Sequence, residues 1–381
     1  MIDPSLIPRF PNEFSLNDFL RFFHPKNINC EPIYSLVGHK NLYFTANGRA
    51  ALYLILKSMN LKKGAGVGVP LYSCPVVFDA IKSAGLEPIF IDTARESYHP
   101  DLTDIQQKAG EMDVLIVIHT FGDPVDMDRL KKVVNLPVIE DCAHSFMSKY
   151  KGKLTGTLSE ASFFSFSKYI SSGGGGMAVF NTIFEKAEEV YGEFSEDSYF
   201  GELLEHVRRS YMLLYRRPFY GVFFKLGHFL SESNGTIYRD IKKKRINKIH
   251  LYTAMIKMAT IKEKIEKQRY NSKILLEELK DTNLILPTER KYVFWNYYLF
   301  PVIFSKKSER DGSEKQLRNS GVDTSKLYNQ TPQKARKVYG YKNDCTNTED
   351  LVDRILTIPN HYYLTEHEIL KIANILRESL K

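Results

Sequence analysis

Between residues 48 and 181 the spacing of apolar positions changes repeatedly. Gly48–Asn60 (GRAALYLILKSMN) reads as a helix, Gly64–Tyr72 as a turn and strand, Cys74–Ala84 as a helix and Pro88–Asp92 (PIFID) as a strand. Val114–Thr120 (VLIVIHT) is almost purely apolar, which marks a strand buried on both faces. Asp126–Val134 is helical and Pro137–Asp141 a strand, while Ala161–Ser165 and Met177–Asn181 are further short strands. Strand–helix–strand alternation predicts a three-layer α/β architecture, a mostly parallel sheet with helices on both faces. Ligands in such sheets bind at the carboxyl ends of strands. Asp141 and the run Ser165–Lys168 fall at such ends.

The rest of the chain changes character. Residues 185–245 are aromatic and basic, with RRSYMLLYRRPFYGVFFKLGHFL followed by IKKKR. One reading is an amphipathic element on an anionic membrane or a lipid-linked substrate. The other is a helical subdomain packing at a subunit interface or over the site. Ile249–Leu279 reads as long amphipathic helix, and Leu284–Lys381 returns to mixed α/β character with a final helix at Glu366–Leu380. A chain of 381 residues suits one large domain plus a smaller one. The expected division is 1–260, carrying the 185–245 insertion, and a C-terminal α/β domain at 261–381.

A net charge of +8 suits a phosphorylated substrate, nucleic acid or an anionic membrane face, without choosing among them. Cys30, Cys74, Cys142 and Cys345 form no C-x-x-C pair, so no metal site is expected. Scattered thiols fit a reducing cytosol. The start MIDPSLIPRFPNEF lacks a signal-peptide pattern and no long uncharged apolar run exists, so a cytoplasmic location is expected.

The chemistry concentrates in PVIEDCAHS and ASFFSFSKYISSGGGGMAVFN. Lys168 offers an ε-amine that forms a Schiff base with an aldehyde, given burial or nearby positive charge to keep it partly deprotonated. Gly173–Gly176 allow close backbone approach to a bound group. Ser165 can turn its hydroxyl to a phosphate while the lysine reaches the aldehyde, and Asp141 can hold a protonated pyridine nitrogen. His144 would lie beside that ring. Asn47 and Gly48 open a helix whose free N–H groups suit a phosphate, and Arg49 adds positive charge. Together these are the parts needed to hold pyridoxal 5'-phosphate. Each also has an ordinary role open to it: a surface lysine, turn serines, helix-capping Asp141 and Asn47, a structural histidine. Gly64, Gly66 and Gly68 precede a strand, so they read as a turn and not a dinucleotide loop.

The ordered series NGRAALYLIL, VPLYSCPVVFDAIKSAGLEPIFIDT, VIHTFGDPVDMDRL, VIEDCAHSF, KGKLTGTLSEASFFSFSKYISSGGGGMAVF and LTIPNHYYLTEHEI resembles the DegT/DnrJ/EryC1/StrS sugar aminotransferases, among the fold-type I pyridoxal phosphate enzymes. The likeness covers most of Asn41–Asn181 and, more loosely, Ile246–Lys381. It implies Asp141 on the pyridine nitrogen, His144 on the ring hydroxyl, Ser165, Gly48 and the Arg49 backbone on the phosphate, and Lys168 as the Schiff-base lysine. It also implies transfer of an amino group from glutamate to a nucleotide-linked keto sugar, in a homodimer with shared active sites and with no nucleic acid partner. Four departures stand out. Ser165 and Lys168 are three residues apart where relatives usually leave more. Cys74 stands near where many relatives stack an aromatic on the ring, with Tyr72 as candidate substitute. The family's Asn-x-Arg, which reaches the neighbouring subunit's phosphate, is represented by Asn247, Lys248 and Ile249. The segment around 208–245 is longer than usual. The alternatives are a pyridoxal phosphate-dependent sugar dehydratase, or a non-catalytic regulatory or binding homologue on the same fold. Lys168 and the scattered cysteines argue against the dehydratases that carry histidine there or hold an iron–sulfur cluster.

Overall fold

A computed structural model describes residues 6–20, 28–38, 41–213, 219–221 and 240–381, without the side chains of residues 208, 209 and 211. Much of the aromatic, basic stretch, at 214–218 and 222–239, lies outside the described residues.

Seven strands form the main sheet: β1 (Leu42–Thr45), β2 (Gly66–Pro70), β3 (Glu87–Ile91), β4 (Val114–Ile118), β5 (Val138–Asp141), β8 (Ala161–Ser165) and β9 (Gly176–Phe180). Their order is β1-β9-β8-β5-β4-β2-β3, and neighbours from β8 to β3 pair in parallel. Only β9 runs against its neighbours β8 and β1. Two short strands, β6 (Lys149–Tyr150) and β7 (Lys153–Leu154), join β10 (Val293–Phe294) in a small sheet, and β11 (Phe300–Ile303) pairs antiparallel with β12 (Ile355–Ile358).

Both faces of the main sheet are covered, which is why β4 has no polar positions. Val114, Ile116 and Ile118 enter one hydrophobic cluster with the helices Gly48–Ser58 and Pro75–Ser83. Leu115 and Val117 enter the other, with residues of Leu102–Lys108, Met127–Val133 and Ile261–Leu279. Alternation with period two assigns each residue to its face. Residues 50–56 of the first helix are all buried, as expected of a helix apolar all round. The second cluster has members on both sides of position 260, from Ile7 to Leu376.

The structure departs from the expected elements in three places. Strand β1 was not apparent from the pattern, because four residues are too short to show a period. The long helix is two, Lys248–Met258 and Ile261–Leu279, interrupted at Ala259 and Thr260. The helix expected from Cys74 opens at Pro75, where a missing N–H costs nothing, with Cys74 as its N-cap. Of the three spaced glycines only Gly64 makes a turn, with φ +80°, while Gly66 and Gly68 lie inside β2. A Cβ at Gly66 would stand 2.0 Å from the Glu111 carbonyl oxygen, so close backbone packing demands glycine there, whereas one at Gly68 would meet the movable Met112 Sδ at 2.1 Å.

Candidate active site

The ends of β5 and β8 and the start of helix Gly48–Ser58 converge on a cavity of about 420 Å³. Six residues singled out from the sequence line it: Gly48, Arg49, Asp141, His144, Ser165 and Lys168. Residues far apart in the chain meet here because parallel strands present their carboxyl ends on one edge of the sheet.

Asp141 ends β5, with its side chain buried and Oδ1 accepting the Ala143 N–H at 2.9 Å. Burial pushes its carboxyl up to about 6, although the Ala143 N–H, the Lys168 amine and His119 pull the other way. His144 is also buried, and its Nδ1 accepts the Phe121 N–H at 3.3 Å. Nδ1 is therefore the unprotonated nitrogen, and Nε2–H is the donor. Burial, aided by Lys168, drives this imidazole well below the ordinary histidine range, so it is neutral. Tyr298 stacks on it at 4.7 Å.

Lys168 lies in a single helical turn, Phe166–Tyr169, directly after β8. Burial lowers its amine, but Tyr298, Cys74 and Asp141 outweigh that and hold it above the usual lysine range. The sequence expectation of a partly deprotonated amine is thus corrected for the free pocket. The acid at 141 favours ammonium, and no cation stands among the groups acting on it. A ligand that engages Asp141 would remove part of this restraint.

The helix start has the geometry of an anion cradle. Asn47 Oδ1 accepts the Ala50 N–H at 3.1 Å, which caps the helix, and Asn47, Gly48 and Arg49 line the cavity. Gly176 makes the approach of β9 to this turn possible, since a Cβ there would lie 2.3 Å from the Asn47 carbonyl carbon. A Cβ on Gly48 would in turn stand 3.2 Å from Ser165 Cβ, so the serine is held against the helix start. Ser165 Oγ lies 3.3 Å from Ser167 Oγ, and both residues line the cavity.

Two sequence candidates stand elsewhere. Tyr72 is buried behind the wall, its hydroxyl without a hydrogen-bond partner among the described residues, and does not line the cavity. Asn247 caps helix Lys248–Met258, its Oδ1 accepting the Ile249 N–H at 2.9 Å. It too lies off the cavity. The wall includes Cys74 and Tyr328. Nothing in the sequence pointed to Tyr328, which sits in an ordinary loop 160 residues beyond Lys168.

Two further clusters resolve as structural. His119, Glu140 and Cys142 are close enough to hold a metal ion. The donor atoms of His119 and Glu140 are already engaged: His119 Nδ1 accepts the Val125 N–H at 3.0 Å and its Nε2 meets Glu140 at 2.9 Å. Glu140 also accepts the N–H groups of Gly156 and Leu158, each at 2.8 Å, and the Ser159 hydroxyl. In the basic run, Lys243 pairs with Glu193, Lys244 with Asp197 and Arg245 with Glu196. Those charges are therefore largely neutralised by neighbouring acids. No helix among the described residues is long and apolar enough to cross a membrane.

Fold and site together define a fold-type I α/β enzyme architecture with a lysine–aspartate cavity at the strand ends. Residues 31–198 and 230–377 match the family described as DegT/DnrJ/EryC1/StrS aminotransferases, and the chain belongs to that family. It is 39% identical over 156 residues to GDP-perosamine synthase of Escherichia coli O157:H7, a match that spans 39% of this chain and 43% of that enzyme. The chain thus aligns with less than half the length of that curated relative. Among solved structures, the aminotransferase TlmJ of Streptoalloteichus hindustanus superposes over 99% of both chains with a TM-score of 0.76 at 19% identity. Spr1654 of Streptococcus pneumoniae, in its PLP form, covers 99% of this chain and 100% of its own with a TM-score of 0.77 at 16% identity. At such identities the superpositions establish the fold.

Pyridoxal phosphate is the cofactor of this family, and the residues present fit it. Asp141 has one carboxylate oxygen uncommitted among the described residues, His144 offers an Nε2–H, and Lys168 an amine with no partner there. The helix start and Ser165 provide a phosphate cradle beside them.

Proposed function

We propose that the protein is an aminotransferase that uses pyridoxal 5'-phosphate to move an amino group from an amino acid, glutamate first among candidates, to a keto sugar carried on a nucleotide diphosphate. The observation that carries this reading is that Asp141, Lys168 and Ser165 open into one cavity at the start of helix Gly48–Ser58. The relatives named as nucleotide-sugar enzymes support the acceptor class.

When bound, the cofactor supplies an aldehyde for the amine and a ring that takes up the electron pair released by the substrate. The chain's own residues do the rest. The amides at the helix start and the Ser165 hydroxyl bind the phosphate, where the helix dipole favours negative charge. Asp141 holds a proton on the ring nitrogen, and the dry surroundings that raise its carboxyl strengthen that contact once charges are paired. His144 directs Nε2–H to the ring hydroxyl. Lys168 would hold the cofactor through its amine, and as a free amine it would take up and return a proton at the substrate carbon. The surplus of positive charge on the chain suits an anionic diphosphate. A homodimer with sites shared between subunits belongs to the same proposal.

The test is to reduce the cofactor-loaded protein with borohydride and map the adduct by mass spectrometry, then add glutamate to unreduced protein and follow the absorbance. An adduct on Lys168 and conversion of the spectrum to the amino form are expected. No adduct on Lys168 would sink the reading, whereas an adduct without conversion by any amino donor would leave a cofactor-binding homologue.

A further inference from the structure

We infer that Tyr328, delivered by a loop of the C-terminal half, supplies the flat aromatic face against which the cofactor ring lies. The inference rests on the pyridoxal phosphate reading above and adds a residue to it. A planar ring held by one edge at Asp141 needs a wall to fix its tilt, and aromatic faces are favoured for that purpose.

Three aromatic side chains reach the cavity: His144, Phe163 and Tyr328. Phe163 belongs to the core beneath helix Gly48–Ser58 and is only 3% exposed. His144 has Nδ1 committed to Phe121 and is covered by Tyr298. Tyr328 is half-buried, and its hydroxyl has no hydrogen-bond partner among the described residues. Its ring lies parallel to that of His144, within 5° at a centroid distance of 6.5 Å. Tyr72 backs it edge-on at 5.3 Å, which gives Tyr72 an indirect part in the wall. Asp141 and Cys74 are among the groups that act electrostatically on its phenol, so it stands near the acid that anchors the ring. The turn after β2 contributes the Cys74 thiol to the same wall, which is too small to serve as a face.

The backbone is set for this placement. Tyr328 has φ +64°, a conformation that bulky residues rarely adopt and that the surroundings must impose. They do so through several bonds. Thr331 N–H donates to the Tyr328 carbonyl at 2.9 Å and Thr331 Oγ1 to the Ser73 carbonyl at 3.0 Å, while Ser325 bridges Thr357. The loop is thereby pinned to the turn that carries Cys74.

The experiment titrates pyridoxal phosphate onto purified apo protein by absorbance and protein fluorescence, beside thermal unfolding of each apo variant. Tyr328→Asn is the central variant, because asparagine tolerates the left-handed backbone. It is expected to raise Kd about tenfold while leaving the apo Tm at or above that of the native chain. Tyr328→Phe should bind within about twofold of the native chain, and Cys74→Phe in the Tyr328→Asn background should recover much of the lost affinity. Native-like binding by Tyr328→Asn would overturn the inference, as would a tenfold loss in Tyr328→Phe, which would assign the role to the hydroxyl. If the native chain itself takes up no cofactor, the parent reading falls and this one with it. If the native chain binds and only the Tyr328 comparison fails, the parent reading stands.

Discussion

Glu140 and Asp141 are consecutive carboxylates on β5, and their surroundings could hardly differ more. Glu140 points into the protein beside His119, with both oxygens occupied by donors from His119, Gly156, Leu158 and Ser159. Asp141 points to the cavity, accepts one backbone N–H from Ala143 and is pushed up to about 6 by burial. The difference teaches how to tell a structural acid from a poised one. A buried carboxylate whose lone pairs are all satisfied holds its neighbours together. One that is buried and only partly satisfied is unstable alone and awaits a partner.

The sharpest break between the two is functional. Lys168→Ala, which removes the amine facing Asp141, should abolish the borohydride adduct and lower transamination by at least about 10³-fold, checked by mass spectrometry and a coupled glutamate assay. Next in size is stability. Glu140→Ala should cost about 3–5 kcal/mol in urea unfolding, because it strands several buried donors at once. Asp141→Ala should leave apo stability unchanged or higher, and lose cofactor affinity instead. Equal destabilisation by both would erase the distinction.

A pH series sharpens it further. The folded-state value of Asp141 lies above the ordinary 3.8, so between about pH 4 and 6 the native protein keeps a proton that the unfolded chain has released. Stability of the apo protein should therefore fall as pH rises through that window, by about 3 kcal/mol from this group, and Asp141→Asn should remove that component. The measurement is urea unfolding of both proteins across the window, and matching slopes would contradict the assignment. The smallest effect belongs to the helix start. Asn47→Ala removes the cap on Ala50 and should cost about 1 kcal/mol, seen as a lowered Tm, with a modest loss of phosphate affinity.

Much of this site was legible in the chain. Asp141, His144, Ser165 and Lys168 lie within 28 positions of one another, at or just past the ends of short strands that the apolar pattern marks clearly. Gly48 and Arg49 were legible because a helix start is a local feature. Tyr72 illustrates the limit. It was read at the right turn, yet its side chain enters the core while Cys74, two residues on, reaches the cavity. Pattern gives a residue's neighbours along the chain, whereas the direction of a side chain at an irregular turn depends on what packs against it. Tyr328 was invisible for a related reason. Its loop, LYNQTPQ, has no periodicity, and only the bonds to Ser73 and Thr357 bring it to the strand ends. The single long helix expected at Ile249–Leu279 failed because its apolar period continues across Ala259 and Thr260, where the two helices separate.

By itself the sequence determined most of the strand and helix order between residues 48 and 181, the mostly parallel sheet with both faces covered, and the amine, acid and hydroxyl proposed to carry the chemistry. These follow from local periodicity and from residue types that few other roles would assemble in that order. Tertiary structure alone gave Glu140 its full set of donors and left Asp141 open to the cavity, and it alone decided which distant loop completes the cavity wall. Alternation along a strand puts neighbours on opposite faces, but which face becomes the pocket depends on what packs there, and that information is spread over the whole chain.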